Sequence, residues 1–192
     1  MHPTLPVSPL ATALVGLAAL AAAMGIGRFA FTPLLPLMQQ HGEVTLDAGA
    51  WLAAANYVGY LCGALACTFL PMRPGTMARI GLAGVAVSTL AMGATASMGA
   101  WLALRLLAGV ASAFVLVGVS GWTLARLAAA RRGQWAGWVY AGVGAGIALA
   151  GVVALVAATR GASPADAWIA LGAIAGGVAL VAWRTFARAG GG

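Results

Sequence analysis

Long apolar stretches alternate with short polar gaps along the whole chain. Within a stretch the apolar residues run continuously instead of alternating with a period of two, and each stretch is close to the ~20 residues that a helix needs to cross a bilayer. Lipid offers no partner to backbone N–H and C=O groups, so such segments are expected to be helical. The pattern predicts an all-α membrane protein of one domain, residues 1–192, with transmembrane helices at about 10–38, 48–71, 77–98, 100–125, 134–158 and 166–184.

The first apolar stretch also has features of a secretory signal, because Ala21-Ala22-Ala23 resembles a cleavage site. However, Met1–Pro9 contains no Lys or Arg, and the apolar stretch continues past that site. We therefore expect this segment to be a retained helix.

Composition excludes a water-soluble domain. Hydrophobic residues make up 62% of the chain and charged residues 7%, whereas a soluble domain carries roughly 25% charge. The net charge of +7 comes from arginine alone. On a soluble protein that charge would suggest nucleic acid, but here we expect a lipid bilayer around the chain and no nucleic-acid partner.

The arginines are concentrated on one side of the predicted membrane. The second gap, the fourth gap and the C-terminal tail hold Arg73, Arg79, Arg126, Arg131, Arg132, Arg184 and Arg188. The other side holds Arg160 and the chain's three acidic residues, Glu43, Asp47 and Asp166. Because Lys and Arg stay in the cytoplasm, we expect a multi-pass protein of a bacterial inner (cytoplasmic) membrane with both termini cytoplasmic.

The positions of the tryptophans and glycines agree with the six predicted membrane helices. Near the predicted helix ends, where indole favours the interface, lie Trp51, Trp101, Trp122, Trp135, Trp138, Trp168 and Trp183. Small residues that allow close helix contact include Gly59, Gly63, Gly137, Gly142, Gly144, Gly146 and Gly151. Static packing and a sliding or hinging surface both remain open for these glycines.

Two arginines fall inside predicted helices. Arg28 lies about ten residues from the outer end of the first helix, and Arg105 lies about five residues into the fourth. A charge at the bilayer centre costs roughly 2.5–3.5 kcal/mol on insertion scales. Arg105 is near enough to the surface to be an interfacial anchor. Arg28 is expected to face inward, either paired with backbone carbonyls or a neighbouring side chain, or in a site for an anionic substrate.

Polar residues of the first two helices lie at a similar depth to Arg28. Asn56 and Tyr60 are four residues apart and share a helix face, as do Arg28 and Thr32. We predict that these four side chains converge near mid-membrane, while Tyr57 points elsewhere. The alternative is a purely structural polar network.

The sequence offers little catalytic chemistry. Gly118-Val119-Ser120-Gly121 is similar to the nucleophile motif of rhomboid proteases, but such a serine needs a base, and the histidines, His2 and His41, lie outside the predicted helices. Ser120 is therefore predicted to be a packing residue. No Asp or Glu lies in a helix core, and no metal cluster, phosphate loop or dinucleotide fingerprint is present. We expect no enzyme activity, catalytic residue, metal or cofactor.

Four segments carry a family resemblance. The stretches Gly25–Pro36 (GIGRFAFTPLLP) and Trp51–Tyr60 (WLAAANYVGY) resemble the first two helices of the YbfB/YjiJ family of the major facilitator superfamily. The segments Arg105–Gly109 and Tyr140–Gly146 are similar to fourth- and fifth-helix motifs of that superfamily. The resemblance implies a half-fold of two inverted three-helix repeats, and Arg28 and Arg105 would each belong to the first helix of a repeat.

Two departures accompany the resemblance. Cys67 stands where the superfamily usually has an Asp, and only Arg73 and Arg79 represent the basic part of the following loop. The superfamily has twelve helices, whereas this chain resembles the N-terminal half alone. A fragment, a truncated reading frame, and a half-transporter that pairs with a second copy (a homodimer) or with a second six-helix half all remain open.

Together these features favour a secondary active transporter, or its N-terminal half, that moves a small-molecule solute by alternating access, with an anion favoured by Arg28. The candidate substrate-binding residues are Arg28, Thr32, Asn56 and Tyr60, with Arg105 in support. The alternative is a small non-transporting membrane protein or a non-functional transporter fragment.

Overall fold

Six helices of the described region, residues 8–187, are long and apolar enough to cross a membrane in the computed structural model. The first span consists of α1 (Pro9–Leu20), a π-helical segment (Ala21–Phe29) and α2 (Phe31–Gln40). The remaining spans are α3 (Leu46–Phe69), α4 (Pro74–Gly93), α5 (Met98–Ala129), α6 (Ala136–Arg160) and α7 (Pro164–Ala187), with a 3₁₀ turn, Gly133–Trp135, before α6. The predicted all-α architecture with six membrane helices is confirmed. Arg188 and His2 lie outside the described residues.

One boundary differs clearly from the sequence-based prediction. The third helix ends at Gly93 instead of near residue 98, and Met98 begins α5. The connection Ala94–Ser97 is stabilised by the Thr95 hydroxyl, which accepts a hydrogen bond from the Ser97 amide at 3.3 Å. Because two of its four residues are alanines, hydropathy alone does not separate this loop from the helices around it.

Polar side chains in the gaps fix where helices begin. The Ser8 hydroxyl accepts a hydrogen bond from the Ala11 amide, and the Thr45 hydroxyl accepts one from the Ala48 amide, each at 3.2 Å. These N-cap bonds satisfy amides that have no partner inside the helix. At the other end of α6, Gly161 adopts a left-handed conformation with φ of 65°, which glycine tolerates at a helix end.

Glycines set the closest helix contacts. A Cβ atom at Gly59 would meet the Leu106 carbonyl oxygen of α5, and one at Gly142 would meet the Leu17 carbonyl oxygen of α1. The close-packing role predicted for Gly59, Gly63, Gly142 and Gly146 is therefore confirmed. At Gly137, Gly144 and Gly151 nothing among residues 8–187 lies within 4 Å of a Cβ built there, so these three glycines make no close helix contact in the described part of the chain.

The main helix contacts connect the first three membrane spans with the last three. The first span packs against α6, and α3 packs against α5, so the first helix of each triplet contacts the second helix of the other. In addition, α4 packs against α5 and α7. This exchange of partners is what two three-helix repeats produce.

Three of the tryptophans depart from the interfacial role expected of them. Trp101, Trp122 and Trp168 are buried among the helices, and the Trp101 indole donates to the Met92 carbonyl oxygen at 3.1 Å. These side chains pack the bundle instead of facing the headgroups. Trp51 and Trp138 are exposed, as an interfacial position requires.

Candidate functional site

The middle of the first span is a π-helix, in which the backbone hydrogen bonds run from i to i+5. Its carbonyl groups are bound by side chains of α5. The Ser112 hydroxyl donates to the Ala23 carbonyl oxygen at 2.9 Å, and the Arg105 guanidinium donates to the carbonyls of Gly27 at 3.3 Å and Arg28 at 3.1 Å. The π-helix was not predicted, because an Ala- and Gly-rich segment is equally compatible with an α-helix.

Arg105 is held inside the protein. Its side chain is 3% exposed, and its Cζ atom lies 4.9 Å from the centroid of the Phe31 ring. The interfacial-anchor alternative for Arg105 is therefore wrong. Because α5 begins at Met98, Arg105 also lies deeper in its helix than the sequence suggested. Both terminal nitrogens of Arg105 are engaged by the backbone around Arg28.

Arg28 lies among three aromatic rings. Its Cζ atom is 3.8 Å from the centroid of Tyr60, 5.3 Å from that of Tyr57 and 5.4 Å from that of Phe29. The predicted approach of Arg28 to Tyr60 across two helices is confirmed. The prediction that Tyr57 points elsewhere is wrong, because its ring also reaches the guanidinium.

The charge of Arg28 is not neutralised within the described chain. Glu43, Asp47 and Asp166 are the only acidic residues, and the Arg28 side chain forms no hydrogen bond or ion pair with any residue from 8 to 187. Its Nε atom is buried without a hydrogen-bond partner. The π-faces of the rings provide the attraction that this part of the chain gives the cation.

Asn56 and Thr32 occupy two different environments. Asn56 is 1% exposed and donates from Nδ2 to the Arg105 carbonyl oxygen at 2.9 Å, while its Oδ1 atom has no partner among the described residues. Asn56 thus connects α3 to the helix turn that carries Arg105. Thr32 lies on the exposed surface of α2. The structure therefore brings Arg28 and Tyr60 into contact. Asn56 is buried against the backbone of α5 instead, and Thr32 is exposed.

Ser120 and His41, the described residues of the serine and histidine types considered for catalysis, each bond to another partner. The Ser120 hydroxyl accepts a hydrogen bond from the Tyr140 hydroxyl at 2.9 Å, linking α5 to α6. The described histidine, His41, forms a 3.0 Å hydrogen bond through Nδ1 with the Leu37 carbonyl oxygen. Over residues 8–187, no group of three or more His, Cys, Asp or Glu side chains is placed to hold a metal ion.

Known proteins support the sequence resemblance. The family model described as "Uncharacterised MFS-type transporter YbfB" matches residues 20–190. A protein of Bacillus subtilis (strain 168) named "Uncharacterized MFS-type transporter YceJ" is 36% identical to this chain over 94 residues. The aligned residues cover 48% of this chain and 24% of that protein. The match thus spans about a quarter of the relative's length. No solved structure matches the chain.

Proposed function

Since the chain belongs to the family of MFS-type transporters typified by YbfB, we propose that it is a secondary transporter, or the N-terminal six-helix half of one, that moves a small anionic solute by alternating access. The family match supports the transport role. The anionic character of the solute is inferred from the site.

The observation that carries the proposal is the unneutralised charge of Arg28. Arg28 is half-buried, and a partly buried cation without a counter-charge loses hydration that is not replaced. The ring of Tyr60 at 3.8 Å offsets part of that cost. A solute carboxylate or similar anion would offset the rest and would thereby be bound.

Each candidate residue receives a distinct part in this proposal. Arg28 contacts the anion, and Tyr60 holds the guanidinium from the other side. Arg105 and Asn56 support the site through the backbone, since their side chains donate to carbonyl groups. Thr32 is exposed four residues after Arg28 and would contact the solute from the open side.

The open side favours a second six-helix unit. Tyr57 is 54% exposed, so a solute bound at Arg28 would not be enclosed by these helices alone. A second copy of the chain, or a second six-helix half, would close the site and would provide the partner for alternating access. The arginine distribution supports a bacterial inner membrane location with both termini in the cytoplasm.

Transport by cells that express the chain tests the proposal. Influx and efflux of radiolabelled acetate, benzoate and succinate are compared among the unchanged chain, Arg28→Gln and the matched control Arg126→Gln, whose arginine lies at the far end of α5 against Trp122. We expect flux of at least one anion, its loss in Arg28→Gln and its retention in Arg126→Gln. Equal flux through Arg28→Gln would contradict the proposed site, and no flux of any anion would contradict transport of small anions by paired copies of this chain.

A further inference from the structure

Among residues 8–187, the site at Arg28 offers one guanidinium whose terminal N–H groups are free to bond an anion, that of Arg28 itself. The nearest second guanidinium, that of Arg105, has both terminal nitrogens bonded to backbone carbonyls. Arg79, Arg126 and Arg132 instead lie against tryptophan rings elsewhere in the bundle. Arg28 can therefore pair directly with one carboxylate, whereas the second carboxylate of a dianion would find no free guanidinium N–H pair in the described part of the site, and burying it unpaired is costly.

The position of the guanidinium favours a planar anionic group. Tyr60 lies over Arg28 at 3.8 Å, and a ring in that position covers one face of the guanidinium. The terminal N–H groups at its edge have no hydrogen-bond partner among residues 8–187. Two parallel N–H donors match the two oxygens of a carboxylate in a bidentate pair.

The surroundings of the guanidinium favour an apolar body for the same solute. The rings of Tyr57 and Phe29 are within 5.4 Å of the Arg28 Cζ atom, and Tyr57 exposes more than half of its surface. A flat apolar group can pack on such rings. The rings around the guanidinium carry two hydroxyls, those of Tyr57 and Tyr60, which are too few to satisfy a polyhydroxylated solute, and unpaired hydroxyl groups lose affinity on burial.

We propose that the cluster formed by Arg28, Tyr57 and Tyr60 binds a monovalent carboxylate with a flat apolar body, of the class of aromatic monocarboxylates. This inference rests on the proposed function and makes its substrate class specific. The carboxylate oxygens accept hydrogen bonds from the terminal N–H groups of the Arg28 guanidinium, and the apolar body of the solute lies against the Tyr57 ring.

Equilibrium binding tests the charge and shape together. The full chain in nanodiscs of zwitterionic lipid is titrated with radiolabelled benzoate, and unlabelled phthalate and phosphate compete. Phthalate keeps the ring and adds a second carboxylate, so it isolates the effect of charge. We expect saturable benzoate binding that is weakened about 10-fold or more in Arg28→Gln, the loss typical of a hydrogen bond to a charged group, and unchanged in Arg126→Gln. Phthalate and phosphate should compete about 10-fold less well than benzoate.

A second variant tests the role of the ring and does not depend on Arg28. Tyr57 is largely exposed, so Tyr57→Ala is expected to fold. Tyr57→Ala should weaken benzoate binding several-fold. The weaker binding of acetate should stay unchanged, because acetate has no ring that could pack on Tyr57. Equal loss for both anions would overturn the proposed place of the apolar group.

The outcomes separate this inference from the proposed function. If phthalate or phosphate binds as well as benzoate and depends on Arg28, the monocarboxylate class is overturned while an anion site remains. If none of the anions shows Arg28-dependent binding, both the inference and the anion site are overturned.

Discussion

The Cζ atom of Arg28 lies 3.8 Å from the centroid of the Tyr60 ring, although the two residues belong to different membrane spans. Arg28 projects from the π-helical segment of the first span, and Tyr60 from the middle of α3. The contact joins the π-helical segment to α3, two elements that are otherwise hardly in contact. The cation and the ring therefore hold the site together as well as defining it.

The ring of Tyr60, and not its hydroxyl, should determine the affinity for the anion. Tyr60→Phe keeps a π-face under the guanidinium, whereas Tyr60→Leu removes it. A cation–π contact is worth about 0.5–2 kcal/mol, so we expect Tyr60→Leu to weaken benzoate binding by about 2- to 30-fold and Tyr60→Phe to change it little. Equal loss in both variants would show that the hydroxyl is the group that matters.

Arg105 should act as a positioning residue for Arg28. A lysine ammonium is a point charge and cannot reproduce the planar fork that spans the carbonyls of Gly27 and Arg28. We expect Arg105→Lys to lower the midpoint temperature of thermal unfolding in detergent. We also expect it to weaken benzoate binding at temperatures below that midpoint, where the variant is still folded. Arg126→Lys, on the same helix, is the matched control. Unchanged affinity in folded Arg105→Lys would contradict the positioning role.

The sequence predicted some contacts of this site and missed others, for identifiable reasons. Antiparallel helices with a 1.5 Å rise per residue allow depth to be counted, and counting placed Arg28 opposite Tyr60. The prediction used the four-residue spacing of Asn56 and Tyr60 alone, although Tyr57, three residues before Tyr60, is also its neighbour on the helix surface, and the guanidinium contacts both rings. The position of Arg105 depended on the true start of α5 at Met98 and on a π-helix, neither of which hydropathy reveals.

Close packing between α3 and α5 should be sensitive to one methyl group. A Cβ atom at Gly59 would meet the backbone of Leu106, whereas nothing described lies within 4 Å of a Cβ atom at Gly144. Overpacking costs about 1–3 kcal/mol, so Gly59→Ala should lower the free energy of unfolding by about that amount in a detergent–denaturant titration. Gly144→Ala should stay within about 0.5 kcal/mol of the unchanged chain. Equal effects would show that α3 and α5 are not packed as the structure has them.

Two exposed glutamines can report the membrane orientation. Gln40 ends the first span, and Gln134 lies in the turn before α6, at the opposite end of the bundle. In a background with Cys62 and Cys67 replaced by Ala, a membrane-impermeant maleimide added to intact cells should label Gln40→Cys and not Gln134→Cys. The reverse pattern would place both termini outside the cytoplasm, against the arginine distribution.

The most direct measurement of the central claim is an NMR titration of the Arg28 side chain itself. The chain is labelled with ¹⁵N-arginine, and the Nε–H resonance of Arg28 is identified by its absence in Arg28→Lys. The account predicts that benzoate shifts this resonance saturably, while the Arg126 resonance stays in place. An Arg28 resonance that does not respond to benzoate, acetate, succinate or phosphate would contradict the claim that this guanidinium binds the transported anion.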